Sequence, residues 1–299
     1  MASASASTGS GTEEIFLAFH KLASQRKMDL AMRGLDVPNL SIDEMFEEAE
    51  RQNVQSVGWG AFLRQLLPSP RSEVPADAAQ PGAAPADARR LRKIASVFSE
   101  CCHGEEDVDV HALVEAGRAF VGMLESVGGF AALSIQEAAN NLSKITAGMQ
   151  AVGARGGSLL SILRAEVQSG IHGAGGLLKD PSAAMGVLWI CRFLTFWEEV
   201  CLMRAQPPPP DGEVVSLRKT IEGAYKHTLL PYHGWVTEKA FDVAAAAAPD
   251  WAVVRPHFAP SDEFFVEDAY AFVRASQKLL PRIMAALTKL DLVDTRKSV

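Results

Sequence analysis

The stretch SIQEAANNLSKI, residues 134–145, decides how the rest of this chain is read. Ile135, Ala138, Leu142 and Ile145, with Met149 beyond, recur at the spacing of one helix face. Glu137, Asn141 and Lys144 stand at i, i+4 and i+7, so at about 100° per residue they share an arc of roughly 60° on a second face. A carboxylate, a carboxamide and an ammonium on one patch supply donors and acceptors suited to a polyhydroxylated or amide-bearing ligand. A solvated helix face with an ordinary acid–base pair has the same spacing, so this patch alone does not define a site.

The helical period continues in both directions. Leu113, Ala116, Phe120 and Leu124 form one apolar stripe. Leu188, Trp189, Arg192, Phe193, Phe196 and Trp197 mark another helix, and residues 213–229 a third. Beyond Pro231 the pattern resumes over 232–248, with an alanine run that stops at Pro249. Residues 262–291 supply one or two closing helices through Phe265, Phe272, Leu279, Ile283 and Leu287. No segment alternates convincingly as a strand would, so residues 91–299 are expected to form one all-α domain. Ahead of it, residues 67–90 are rich in Pro and Ala without apolar periodicity, which is the composition of a linker. Residues 1–12 read as a disordered tail. Residues 13–66 read as a small helical appendage, with a capping box from Ser41 to Glu44, and are too short to build much core unaided. Four consecutive prolines from Pro207 to Pro210 mark a stiff connection.

Bulk properties exclude several classes. Hydrophobic residues make up 48% of the 299, enough for a substantial core. The net charge of -7, without a Lys/Arg block, argues against a nucleic-acid partner. It argues equally against strong electrostatic adhesion to anionic membranes, leaving transient peripheral contact through a few aromatics. Cys101, Cys102, Cys191 and Cys201 lack C-x-x-C spacing, and His103, His111, His172, His227 and His257 lack ligand spacing, so neither metal nor cofactor is expected. No apolar run approaches the ~20 residues of a membrane span, and the N-terminus lacks a signal-peptide pattern, so the expected location is cytoplasmic. H-E-x-x-H, G-x-S-x-G and Walker A sequences are missing, and the glycine clusters 153–157 and 170–176 read as inter-helix loops. Without a nucleophile, base and oxyanion site, no enzyme is expected.

Two further features join the patch on 134–145. Trp189 opens an apolar stripe that contains Arg192; a core tryptophan is the ordinary explanation, but an indole at a pocket mouth also stacks on sugar rings. Tyr232-His233-Gly234-Trp235 comes directly after Pro231, and a histidine where a helix begins can direct a hydrogen bond as well as cap locally.

Taken together, these pieces resemble the glycolipid transfer protein family. Its pattern is a D-x-x-x-N-x-x-K helix, a later W-x-x-R and an H-G-W tripeptide. Glu137, Asn141 and Lys144 match the first, Trp189 and Arg192 the second, and His233-Gly234-Trp235 the third. Phe241 and the alanine-rich run to Ala248-Pro249 fit the family's segment after H-G-W. The resemblance covers residues 91–299 and implies a two-layer all-helical fold enclosing an apolar lipid cavity. It implies that Asn141 and Lys144 bond to sugar hydroxyls and that Trp189 stacks under the first sugar, with Arg192 as a possible further headgroup contact. His233 would bond to the amide carbonyl, and the Glu137 carboxylate would accept from the amide N–H. Trp235 would touch the membrane. Candidate chain-lining residues are Phe120, Leu142, Ile145, Phe193, Phe196, Phe241 and Phe272.

Two departures stand out: Glu137 replaces the family's Asp, and the C-terminal LVDTRKSV lacks the Tyr usual in glycolipid-binding members. The ceramide-1-phosphate branch resembles D-x-x-x-K with paired arginines, as a phosphate demands. Asn141 stands here at that lysine, and Trp189 and Met185 at the arginines, which favours a neutral sugar. The implied ligand is thus a glycolipid moved between membranes. Ceramide-1-phosphate-type transfer is the first alternative. Another is a lipid sensor or adaptor whose residues 13–66 bind a protein partner, and a helical scaffold without ligand is the last.

Overall fold

The computed structural model describes residues 89–103, 107–153, 157–207 and 215–297. The expected tail over 1–12, the appendage over 13–66, the linker up to residue 88 and the prolines 208–210 lie outside the described residues. The described chain is a two-layer all-α fold. Its helices are α1 (Arg90–Glu100), α2 (Val110–Glu125), α3 (Ala132–Val152), α4 (Leu159–Ser169), α5 (Ala183–Ala205), α6 (Leu217–Thr228), α7 (Trp235–Ala246), α8 (Trp251–Val254) and α9 (Asp262–Lys289). Most start in a legible way. Asp109, Ser158, Ser182, Ser216 and Ser261 each accept a hydrogen bond from the backbone N–H three residues on, satisfying a donor the first turn leaves open.

The long helix α5 is the spine, packed on α3 along one side and on α9 along another. Small residues set the α3–α5 approach. A Cβ on Gly186 would lie 2.6 Å from the Asn141 backbone oxygen, and one on Gly148 2.6 Å from the Ala183 Cβ. The helix that carries Glu137, Asn141 and Lys144 is thereby pressed against the helix that carries Trp189. At the other end Arg89 holds α1 to α9, reaching the fully buried Asp268 through Nε at 3.0 Å and Glu267 through Nη2 at 2.9 Å. Phe120 forms the centre of the core. Its ring stacks on Phe272 at 5.2 Å and meets Phe98, Phe193 and Trp197 edge-on.

One local feature resolves an open alternative, one helix rather than two at the C-terminal end, and one was not expected. Residues 262–289 form one helix, running through Pro281. A proline within a helix costs ~3 kcal/mol, but Leu279, Ile283 and Leu287 are completely buried on both sides of it and hold the helix to the core. Cys102–His103 pairs antiparallel with Asp107–Val108. Strands of two residues are too short to show an alternation, so no such pattern marks them in the sequence. The glycines 170–176 form the loop between α4 and α5, as expected.

Candidate functional site

The α3 patch and the start of α5 meet at a polar cluster. Asn141 is buried, and its Oδ1 accepts from Lys144 Nζ at 3.2 Å. The same ammonium lies 2.8 Å from Asp180 Oδ1, in the loop before α5. Next along α5, the Trp189 ring lies against the His233 imidazole, centroids 5.4 Å apart and 29° from parallel. Pro231 stands in the short turn that ends α6, and His233 comes directly after that turn, bringing the imidazole back onto α5. Arg192 is buried between two aromatic faces, its guanidinium carbon 4.6 Å from the Trp189 centroid and 3.8 Å from that of Tyr232. It also donates to the Asp294 carbonyl, tying down the C-terminal segment. The possible headgroup contact at Arg192 is therefore already engaged within the protein.

A cavity of about 50 Å³ adjoins this cluster, and Glu137 and His233 belong to both. Its walls include Phe130, Phe196, Ile221 and Phe241. Phe196 and Phe241 are thus on the wall, 6.0 Å apart edge to face. Phe120, Phe193 and Phe272 are not: they pack against one another and their neighbours in the solid core. Leu142 and Ile145 are also off this wall. Leu142 fills the space beside Gly117, and Ile145 packs towards Gly186. Trp235 is the first residue of α7, and its side chain lies outside the described residues.

Burial sets the protonation states at the cavity. Glu137 keeps some surface towards the cavity but is crowded on every other side. That crowding pushes its carboxyl up to about 7, against the opposing pull of Lys144. Burial, assisted by Arg192, lowers His233 to about 4, so the imidazole is neutral near neutral pH. Tyr225 lies 3.1 Å from His233 Nδ1. With the proton on Nε2, the tyrosine hydroxyl donates to Nδ1 and Nε2–H is left as a directed donor.

These shifts have opposite consequences for stability. Folded Glu137 binds its proton more tightly than the unfolded chain does, so stability falls as pH rises from the ordinary carboxylate range through about 7. Folded His233 binds its proton less tightly, so stability falls as pH drops from the ordinary imidazole range towards about 4. Glu137→Gln should therefore melt progressively higher than wild type as pH is raised from about 5 to about 8. A difference in melting temperature that does not vary with pH would show that Glu137 titrates normally.

Some participants carry no mark in the sequence. Asp180 is paired with Lys144, 36 positions earlier, and Tyr225 with His233 across the turn at Pro231, and no motif flags either of them. Asp294 accepts from the Leu178 N–H at 3.0 Å and is held by Arg296, so the C-terminal segment braces the loop before α5 without a tyrosine. Among the described residues no His/Cys/Asp/Glu group is placed to hold a metal, and all four cysteines are unpaired. No helix of the described residues is long and apolar enough to cross a membrane.

An all-helical two-layer fold with a polar cluster at the edge of an apolar cavity defines a class, and comparison with known proteins places the chain within it. Residues 108–254 match the family model described as Glycolipid transfer protein (GLTP). The glycolipid transfer protein of Danio rerio is 30% identical over 111 residues, 37% of this chain and 51% of that protein. The chain thus spans about half the length of that relative. In fold, it resembles the apo form of mouse ceramide-1-phosphate transfer protein, with a TM-score of 0.60 at 18% identity, covering 69% of this chain and 99% of the other. It also resembles the GLTP-fold structure of FAPP2, which selects simple glycosphingolipids, with a TM-score of 0.60 at 20% identity, covering 70% and 99%. Residues 108–254 of this chain are thus a glycolipid transfer protein family domain.

Proposed function

We propose that this chain binds one glycolipid of the glycosphingolipid type and carries it between membranes without chemical change. The observation that carries this reading is that Glu137 and His233 stand on the wall of an apolar cavity and adjoin the Asn141–Lys144–Trp189 surface. A lipid whose amide lies at Glu137 and His233 would send its chains towards Phe196 and Phe241 and its headgroup towards Trp189. Asn141 and Lys144 donate to sugar hydroxyls, and the indole supports the apolar face of the ring. The energetic demand is large, because each chain methylene left in water costs ~0.8 kcal/mol and only enclosure offsets it. At about 50 Å³ the cavity has room for only a few waters, at ~10–15 Å³ each, and far too little for a lipid chain, so chain entry parts its walls. Helix α7 is the wall least tightly held, since of its described side chains only Ala245 is buried.

Charge favours a neutral headgroup. Lys144 is neutralised by Asp180, and Arg192 is committed to two rings and a backbone carbonyl, so neither presents the free cationic fork a phosphate needs. The test is transfer between vesicles of fluorescent galactosyl- or glucosylceramide, with a ceramide-1-phosphate probe in parallel. Accelerated transfer of the glycosylceramide alone is the expected result. Transfer of the phosphate probe alone would overturn the headgroup assignment, and tight binding with negligible transfer would replace the carrier by a sensor.

A further inference from the structure

The cavity wall is less apolar than a seat for plain hydrocarbon would be. Trp197, 3% exposed, stands on it, and its Nε1–H is buried without an acceptor. Ser134 and Thr237 line the same space, and neither hydroxyl hydrogen-bonds within the protein. Four helical threonines elsewhere, Thr146, Thr195, Thr220 and Thr228, turn back to the carbonyl four residues earlier, while the buried Ser276 hydroxyl of α9 is, like these two, without a partner. Thr237 has no such partner to turn to: it is the third residue of α7, and the carbonyl four residues back belongs to His233, ahead of the helix in extended backbone. An orphaned buried N–H is a standing penalty that a phenylalanine at position 197 would not carry. A saturated chain entering here would leave the penalty in place, whereas a chain bearing an oxygen would remove it.

We infer that the cavity contains a subsite for a hydroxyl carried on the first few carbons of a lipid chain, with Trp197 Nε1–H as donor and the Thr237 and Ser134 hydroxyls beside it. The inference rests on the cavity being the seat of the chains, and it adds a selectivity for chain hydroxylation to the choice of headgroup. Beyond the 3-hydroxyl that every sphingoid base carries, two positions vary in such chemistry: carbon 2 of the acyl chain and carbon 4 of the sphingoid base. Both lie within a few bonds of the amide, which is where Glu137 and His233 place this wall.

The full chain is titrated with vesicles containing one of three glucosylceramides of equal chain length: unhydroxylated, 2-hydroxyacyl, or with a 4-hydroxylated base. One hydroxylated lipid should bind about three- to tenfold more tightly than the plain one, the range of a single hydrogen bond to an otherwise unsatisfied group. Trp197→Phe should bring that ratio close to one, and Thr237→Val, which is near isosteric, should reduce it. Equal binding of all three lipids by the wild type overturns the subsite alone, while binding of none overturns the glycolipid reading with it. Should Trp197→Phe fail to fold, an undiminished ratio in Thr237→Val is the overturning result.

Discussion

Trp189→Ala is expected to weaken glycolipid binding at least about thirtyfold, the ~2 kcal/mol or more lost on truncating a central aromatic anchor. The indole has contacts on two sides, His233 at 5.4 Å and the Arg192 guanidinium at 4.6 Å, and is itself only part-buried. Its removal deprives the sugar of a platform and the imidazole of the face that fixes its orientation. Helical content should be retained, because the core beneath is built from Val187, Leu188 and Ile190, which stay in place. His233→Leu should lose binding comparably by a separate route: the directed donor disappears and the Tyr225 hydroxyl is left without its partner. The check is a vesicle-binding titration alongside far-ultraviolet circular dichroism. If both variants bind like wild type, the site is elsewhere even though the fold stands.

Phe120→Ala should destabilise the domain by about 3–5 kcal/mol, the cost of emptying a fully enclosed aromatic position. Its side chain is completely buried and touches four other aromatic rings, so few neighbours can move in without breaking contacts of their own. Phe241→Ala should cost clearly less, because Phe241 is part-buried and already borders empty space. Urea unfolding separates the two, with the midpoint shifting and the slope retained. Equal losses would mean that the wall of the cavity is as solid as the core, which would contradict its opening for a lipid.

The comparison between these phenylalanines also shows what the sequence could and could not reveal. The helices were legible because buried residues recur at helical spacing, as with Leu113, Ala116, Phe120 and Leu124. The α3 patch was legible because Glu137, Asn141 and Lys144 lie within two turns of one helix. A cavity wall and a solid core ask for the same residues at the same spacing, so nothing local separates Phe196, on the wall, from Phe193 three positions earlier in the core. Depth depends on which helix lies opposite, and that is a property of the assembled fold. Partners on different elements were hidden for the same reason: Asp180 for Lys144, and Tyr225 for His233 on the far side of the turn at Pro231. The absent C-terminal tyrosine was visible, but its structural substitute was not: Asp294 and Arg296 act through Leu178 and Arg192, more than a hundred positions away.

The most direct test of the central claim, that one lipid is withdrawn from a membrane and enclosed by this domain, is native mass spectrometry of the full chain after incubation with glucosylceramide-containing vesicles. The expected spectrum shows a single added mass equal to one glucosylceramide, greatly diminished in Trp189→Ala. A spectrum of unliganded protein under conditions where the vesicles are demonstrably accessible would contradict it.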